Sequence, residues 1–179
     1  WLRGALARLP QSCLIGIDAE IPVEGTLLRL ASGSGRSLRV EGDLLLVPGD
    51  PAQAGVRVQA WLKATARDRL VAASDHYAGQ IGRKVTRVTL RDTRSRWGSC
   101  TAEGALMYSW RLIMAPPPVL AYVAAHEVAH LLEMNHSSRF WAVVDRLCPA
   151  WQTQRAWLHS HGTRLHGLRF TDGPDAAGD

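Results

Sequence analysis

The sequence predicts an α+β protein, because strand-like and helical segments occupy separate stretches of the chain. Residues 26–47 hold three apolar runs, TLLRLAS, SLRVEG and LLLV, and a Ser-Gly-Ser-Gly turn signal separates the first two. A helical pattern follows, then two strand-like segments within 84–110, then three helical patterns between residues 119 and 162. This order of strands, one helix, strands and three helices is typical of the α+β class.

The first helix is predicted between residues 51 and 81. Pro51 can occupy its first turn, and Gly82 supplies a stop signal at its other end. Apolar residues recur between these points at helical spacing. They are Val58, Trp61, Leu62, Ala66, Leu70 and Val71.

Residues 84–110 are predicted to form a strand followed by a hairpin. KVTRVTLRDT at 84–93 alternates polar and apolar residues, and the turn TAEG separates RWGSC at 96–100 from ALMYSW at 105–110. The segment is also strongly basic, and fits either a site for phosphates, nucleic acid or acidic substrates, or a solvated strand face. Its basic residues are Arg83, Lys84, Arg87, Arg91, Arg94 and Arg96, against the single acid Asp92.

The helix that follows is the most apolar part of the chain. The three prolines at 116–118 form a rigid lead-in, and the last one suits the first turn of a helix. We expect this helix to run from Val119 to about Met134. Since it is apolar nearly all round, it should be buried.

Two more helices are predicted near the C-terminus. Ser137 or Ser138 can cap one that continues through Leu147. Pro149 can open the last helix, which Gly162 can stop. The closing TDGPDAAGD is expected to be disordered.

Composition indicates one globular domain in a reducing compartment. The chain has 179 residues, 46% of them hydrophobic, and a formal net charge of +5. No window approaches 18 consecutive apolar residues, which predicts that no segment spans a membrane. The three cysteines, Cys13, Cys100 and Cys148, are odd in number and form no CxxC, which favours a cytoplasmic setting over a disulfide framework.

HEVAH at 126–130 has the spacing of a metal site. His126 and His130 are four residues apart, so on a helix their rings project from one face and can share a Zn²⁺ ion. Glu127 lies beside the first histidine and can reach a metal-bound water as a base. A buried helix that merely contains histidines is the alternative, but burying Glu127 without a metal or partner would cost several kcal/mol.

A third histidine, His136, follows His130 by six residues. A chain that leaves its helix and turns back can bring such a residue to the same ion, as in the metzincin pattern HExxHxxGxxH. Glu133 stands where that pattern has glycine, so we expect Asn135 to supply a left-handed turn. The side chain of Glu133 is either close to the metal ligands or merely exposed.

The remaining C-terminal histidines do not extend this site. His159 and His161 are two residues apart and do not share a helical face. We expect them, together with His166, to lie at the surface.

Several motifs together resemble the YgjP-like metallopeptidase-domain family, a group related to the SprT-like and WLM metallopeptidases among the zincins. They are RWGSC at 96–100, WRLI at 110–113, YVAAHEVAHLLEMNHSSRFW at 122–141 and the Pro149 that follows. The resemblance covers roughly residues 26 to 161 and is strongest between 94 and 149.

The resemblance implies a zincin-like metallopeptidase fold with a small N-terminal β region, a central hairpin and a helical C-terminal half that carries HExxH. It implies one Zn²⁺ ion bound by His126, His130 and His136, with Glu127 as the catalytic base. In this group an asparagine often precedes the third histidine, as Asn135 does here.

Three stretches of the chain are expected on this basis. Residues 1–25 carry no recognised motif and are expected to be an N-terminal extension, and residues 26–162 to be the metallopeptidase domain. Residues 163–179 are expected to form a flexible tail.

The leading functional hypothesis is a zinc peptidase acting on peptides or proteins. A zinc-activated water would attack the peptide carbonyl after Glu127 removes its proton. We expect the substrate to lie along ALMYSW as an edge strand. Tyr108, Arg111 or Tyr122 could stabilise the oxyanion, although packing is the expected role of Tyr122.

Three alternatives stay open. A nucleotide pyrophosphatase could use the same metal, with Arg94 and Arg96 neutralising phosphates, although the chain has no GxxxxGK[ST] loop. A DNA-associated protease of the SprT or WLM kind could bind nucleic acid through residues 83–96. A structural zinc module would need a fourth protein ligand, for which Cys100 is the candidate. The sequence leaves the oligomeric state and the physiological substrate open.

Overall fold

The computed structural model describes residues 13–171, which form two main sheets, a short pairing of two further strands, and four α-helices. The strands are β1 (Cys13–Leu14), β2 (Glu20–Val23), β3 (Thr26–Gly33), β4 (Arg39–Glu41), β5 (Leu44–Pro48), β6 (Arg87–Arg91), β7 (Gly98–Cys100), β8 (Ala105–Ser109) and β9 (Leu168–Arg169). The helices are α1 (Ala54–Gln80), α2 (Pro117–Ala129), α3 (Ser138–Leu147) and α4 (Trp151–Leu165), with 3₁₀ helices at Pro51–Gln53 and Trp110–Met114.

The first sheet has the strand order β2-β3-β5-β4. Its three predicted strands are confirmed as β3, β4 and β5, and the turn after Gly33 separates the first two. Alternate residues of the central strands point into the core, which is the period-two pattern of a sheet with one buried face. These buried residues are Leu28, Leu30, Leu45 and Val47.

The domain reaches beyond the predicted bounds of 26–162. Strand β2 pairs with β3, and Ile21 is fully buried, so residues 13–25 belong to the sheet and the core rather than to an extension. At the other end β9 pairs in parallel with β1, and Phe170 is 2% exposed. The first part of the predicted tail therefore belongs to α4 and β9, and residues 172–179 lie outside the described part of the chain.

Helix α1 confirms the first predicted helix. Pro51 opens it with one 3₁₀ turn, and the Asp50 side chain accepts a hydrogen bond from the Ala52 amide at 2.9 Å. Its buried residues recur every four positions, which turns one narrow stripe toward the core. They include Val58, Leu62, Ala66, Leu70, Ser74 and Ala78.

The second sheet has the strand order β6-β8-β7. The predicted hairpin is confirmed, because β7 and β8 pair antiparallel with Gly98 opposite Tyr108. Strand β8, however, is the central strand, since β6 pairs with its other side in parallel. The expectation that ALMYSW is an edge strand is therefore wrong, and β7 is the edge strand that faces the histidine helix.

Helix α2 is buried on nearly all sides, as its composition predicts, but it ends at Ala129 rather than near Met134. Irregular turns follow, in which the amides of Leu132 and Glu133 both donate to the Ala129 carbonyl. Asn135 does not adopt the expected left-handed conformation, because Asp18 and Glu24 are the non-glycine residues with positive φ among residues 13–171. The chain leaves the helix through these turns instead.

The last two helices begin close to the predicted positions. The Ser137 hydroxyl caps α3 by accepting a hydrogen bond from the Phe140 amide at 3.4 Å. Helix α4 continues past Gly162 to Leu165. Gly162 is a packing position rather than a stop, because a Cβ atom there would lie 2.7 Å from the Trp97 ring. No helix within residues 13–171 combines the length and apolar character required to cross a bilayer.

Candidate metal centre and active-site cleft

The imidazoles of His126, His130 and His136 converge on one point. Each residue offers a ring nitrogen, and these three atoms lie within 4.8 Å of one another. Nε2 of His126 and Nε2 of His136 are 3.1 Å apart. A tetrahedral zinc ion with nitrogen ligands at 2.0–2.1 Å separates two such nitrogens by about 3.3 Å, so the spacing of this pair fits the ion.

Helix α2 and the turns after it produce this convergence. His126 lies in the last turn of α2 and His130 directly follows it, so the two rings share one face. The turns at 131–136 then carry the chain back across the helix end and place His136 beside both rings. The ring centroid of His136 lies 5.0 Å from that of His126 and 4.8 Å from that of His130.

A backbone carbonyl orients His130. Its Nδ1 lies 3.0 Å from the carbonyl oxygen of Glu133, so this nitrogen carries a proton and donates it. The unprotonated Nε2 is then the one available to a metal. The Glu133 side chain turns to Arg139, with a 3.3 Å ion pair, so Glu133 supports the site through its main chain.

Aromatic side chains from α3 and from the start of α4 support the histidine rings. Phe140 is fully buried, and its ring centroid lies 4.5 to 4.9 Å from those of all three histidines. Trp141 stacks on His136 at 5.9 Å, and Trp151 stacks on Trp141 at 4.4 Å. Sequence periodicity gives no sign that Phe140 touches every predicted ligand, because the contact depends on how α3 packs against α2.

Burial favours the neutral form of His126 and His130, which is the form that binds metals. Removal from solvent, followed by the charges of His130 and His136, lowers the pKa of His126 to about 3. Burial also lowers the pKa of His130. Nδ1 of His126 is buried without a hydrogen-bond partner, so it adds nothing that would favour a charged ring.

Glu127 lies beside the histidines in a nearly closed environment. Glu127 is 5% exposed. Burial raises the pKa of its carboxyl group to about 8, while the charge of Arg96 acts to lower this pKa. Strand β7 forms the opposite wall. A Cβ atom at Gly98 would lie 2.6 Å from Oε1 of Glu127, so only glycine leaves room for the carboxylate in this position.

Two connected hollows open onto the centre. One, of about 270 Å³, brings Arg96, Ser99, Cys100 and Met134 to the three histidines and Glu127. The other, of about 230 Å³, adjoins His126 and Glu127 and is walled largely by apolar side chains. Its further lining residues are Trp97, Gly98, Tyr122, Val123 and Leu158.

The RWGSC segment packs beside helix α2. Ser99 and Cys100 line the cleft, and Trp97 is half-buried between the cleft and Gly162 rather than fully in the core. Burial raises the pKa of the Cys100 thiol to about 11, which keeps it protonated. Among residues 13–171, Cys100 is not part of the group whose ligand atoms converge, which favours an open catalytic site over a closed structural one.

The predicted substrate contacts divide into two groups. Arg96 lines the cleft, and Arg94 is exposed and close enough to His166 for its charge to lower the pKa of that ring. Tyr108 and Arg111 are buried and held elsewhere, so the structure corrects their assignment. The Tyr108 hydroxyl lies 2.9 Å from that of Ser74.

Arg111 is a structural residue. Its guanidinium forms two hydrogen bonds with Asp92, at 2.6 and 3.0 Å, and donates to the carbonyls of Leu165 and Leu168. It therefore joins the segment before α2 to the end of α4. The sequence offered no sign of these partners, because Leu165 and Leu168 contribute only backbone atoms.

His166 also differs from expectation. His159 is exposed as predicted, but His166 is half-buried and stacks on Trp97 at 5.0 Å. Burial lowers the pKa of His166 to about 4. It supports the wall of the cleft through Trp97.

Convergent imidazoles beside a buried carboxylate are typical of metal-dependent hydrolases. The chain belongs to the YgjP-like metallopeptidase domain family, whose match covers residues 6–161. It is thus a metallopeptidase with the predicted α+β class of fold, and the prediction of a peptide-hydrolysing enzyme is confirmed.

Two further comparisons complete this result. The crystal structure of the metallopeptidase zymogen of Pyrococcus abyssi abylysin is similar to this chain, with a TM-score of 0.46 and 19% sequence identity over 56% of this chain and 98% of that one. No curated protein matches the chain.

Proposed function

We propose that the protein cleaves peptide bonds with one zinc ion bound by His126, His130 and His136, and with Glu127 as the general base. The observation that carries this proposal is the position of Glu127, a buried carboxylate next to three convergent ring nitrogens. Three imidazole donors suit Zn²⁺, although Co²⁺ or Mn²⁺ can use the same ligands.

When bound, zinc supplies a Lewis acid that polarises a carbonyl group and makes water at the site more acidic. Glu127 then accepts a proton from the attacking water and can return it to the leaving nitrogen. The carboxyl pKa is raised to about 8 by burial, which makes the protonated form accessible near neutral pH, as the second step requires. A divalent cation nearby lowers this pKa again and favours the base form before attack.

The cleft supports an extended substrate lying beside β7. Among the described strands β7 has a neighbour on one side, so its other edge is available for a peptide to add as a further strand. Gly98 brings this edge close to Glu127. The hollow walled by Trp97, Tyr122 and Leu158 is suited to an apolar substrate side chain next to the scissile bond.

Parallel assays on peptides and on nucleoside triphosphates test the proposal. Zinc-loaded protein is incubated with a mixture of unstructured peptides and, separately, with the nucleotides. Peptide cleavage by the wild type and a loss of roughly 10²–10⁴-fold in the zinc-loaded Glu127→Gln variant are the expected results. Glu20→Gln is the matched control, because Glu20 is exposed on β2 in the other sheet.

Zinc content is measured for each variant. Glu127→Gln should retain zinc, because the residue is expected to act on water and not to bind the metal. Full peptide turnover in Glu127→Gln would refute its role. Hydrolysis of nucleotides without hydrolysis of any peptide would favour the nucleotide pyrophosphatase hypothesis.

A further inference from the structure

A basic groove runs over the outer face of the second sheet, next to the metal cleft. It has a volume of about 240 Å³, and its polar lining consists of three arginines and four hydroxyl residues. These residues are Arg87, Arg91, Arg96, Thr89, Thr93, Ser99 and Thr101.

Strand alternation places these side chains on one face. In β6 the residues Arg87, Thr89 and Arg91 are two apart, so they share the outer face, while Val88 and Leu90 turn to the core. The register sets Ser99 of β7 across β8 from Thr89, because both pair with Met107. The groove is thus fixed by the sheet and does not depend on a loop.

The chemistry of this lining points to an anionic ligand. None of the described residues that line the groove is acidic, and Arg87 and Arg96 are exposed. Guanidinium and hydroxyl groups together suit carboxylate or phosphate oxygens. None of the lining residues is aromatic, so the groove lacks the surfaces on which the bases of single-stranded nucleic acid stack.

The groove is continuous with the site of cleavage. Arg96 and Ser99 line both the groove and the hollow that contains the three histidines and Glu127. A chain that passes the metal centre along β7 therefore meets the groove at Arg96. These two shared residues favour the substrate itself, rather than an unrelated ligand, as the occupant of the groove.

We infer that the groove binds acidic side chains of the peptide substrate and makes the enzyme select substrates with Asp or Glu residues near the scissile bond. This inference rests on the proposed peptidase function. Arg96 provides the contact nearest the reacting centre, and Arg87 provides one further along the chain of the substrate.

Binding is the first test, because it does not require turnover. A fluorescent acidic peptide and its counterpart with every Glu replaced by Gln are titrated into zinc-loaded Glu127→Gln protein and followed by anisotropy. We expect the acidic peptide to bind roughly tenfold more tightly at low salt, and R87Q/R96Q to abolish the difference. R36Q/R57Q is the control, since it removes the same charge at two exposed positions outside the groove.

Kinetics on the wild-type background provide the second test. R87Q alone should raise KM for acidic peptides and leave kcat unchanged, because Arg87 does not line the hollow that contains Glu127. R96Q can alter both, because Arg96 does line it. Equal affinity for the acidic and amide peptides would overturn the inference while leaving the peptidase proposal intact. Preferential binding without cleavage would support the groove and refute the peptidase proposal.

A single-stranded oligonucleotide is included as a competitor. If it displaces the acidic peptide at lower concentration than unlabelled acidic peptide does, and R87Q/R96Q removes this effect, the groove is a nucleic-acid site and the inference is wrong.

Discussion

Gly98 and Glu127 are in such close contact that the absence of a side chain at position 98 sets the position of the carboxylate. A Cβ atom at residue 98 would lie 2.6 Å from Oε1, 2.7 Å from Cγ and 2.8 Å from Cδ of Glu127. Helix α2 and strand β7 can therefore approach each other only with glycine there. The glycine of RWGSC is thus part of the geometry that the proposed mechanism requires.

Gly98→Ala should displace the Glu127 carboxylate without disturbing the histidines. Because a shift of about 1 Å in a catalytic group can cost about 100-fold, we expect kcat to fall by that order while zinc content stays at the wild-type value. The measurements are steady-state kinetics and metal analysis. Gly79→Ala is the control, since a Cβ atom there would meet no atom within 4 Å; wild-type turnover in Gly98→Ala would show that the carboxylate has no fixed position.

Arg111→Ala should destabilise the fold strongly. The Arg111 side chain is 1% exposed and is paired with Asp92, so its removal leaves a carboxylate and two backbone carbonyls without their donor. Breaking a buried pair in this way costs about 3–5 kcal/mol of unfolding free energy. Urea unfolding measures this loss.

Arg29→Ala provides the comparison. It removes an exposed ion pair with Asp18, and pairs of that kind contribute about 0–1 kcal/mol. A loss in Arg111→Ala as small as that in Arg29→Ala would contradict the structural role of Arg111.

The sequence was sufficient to predict the features that depend on local spacing. The four-residue period of α1, the hairpin after RWGSC and the shared face of His126 and His130 all follow from the geometry of a single element. The ring nitrogens of His126 and His130 converge for the same reason, whereas the turns at 131–136 bring His136 to them.

Features that depend on packing between distant segments were not predictable. Tyr108 fits the alternating pattern of a strand, but that pattern does not tell which face of β8 is buried. The buried face is set by α1, where the Ser74 hydroxyl forms a hydrogen bond with the Tyr108 hydroxyl. Strand β8 is central because β6, which precedes β7 in the chain, pairs in parallel with the edge of β8 that β7 leaves open. No turn signal in the sequence predicts a parallel pairing. The end of α2 was misplaced because Leu131 and Leu132 continue the apolar pattern into the turns.

The stability of the metal-free protein should fall as the pH decreases below 6.5, in part through His166. Burial lowers the pKa of its ring to about 4, while Asp92 raises it and Arg111 and Arg94 lower it. The unfolded chain then binds a proton at higher pH than the folded one, so stability is lost between pH 6.5 and 4 and is retained above 6.5. For this partly exposed ring we expect about 1–2 kcal/mol of loss between pH 7 and 5.

His166→Phe isolates this contribution, because phenylalanine can keep the stacking on Trp97 but cannot titrate. Urea unfolding of the metal-free wild type and variant at pH 7 and pH 5 gives the difference. The variant should lose less stability than the wild type over this interval. An identical loss in both proteins would show that His166 is equally accessible to protons in the folded and unfolded chains.

His136→Ala should release zinc nearly as readily as His130→Ala. Nε2 of His136 lies 3.1 Å from Nε2 of His126, which is close enough for both to bind one ion, although His136 comes from the turns after α2. Two histidines on one helix bind zinc far more weakly than three, and loss of a ligand also removes the stabilisation that zinc gives the folded state. We therefore expect about one zinc per wild-type chain, little in either variant, and a lower Tm for both in the presence of zinc.

The exposed His159 supplies the control, since His159→Ala removes an imidazole without touching the site. If His136→Ala kept its full zinc content, the centre would consist of His126 and His130 with some other third ligand.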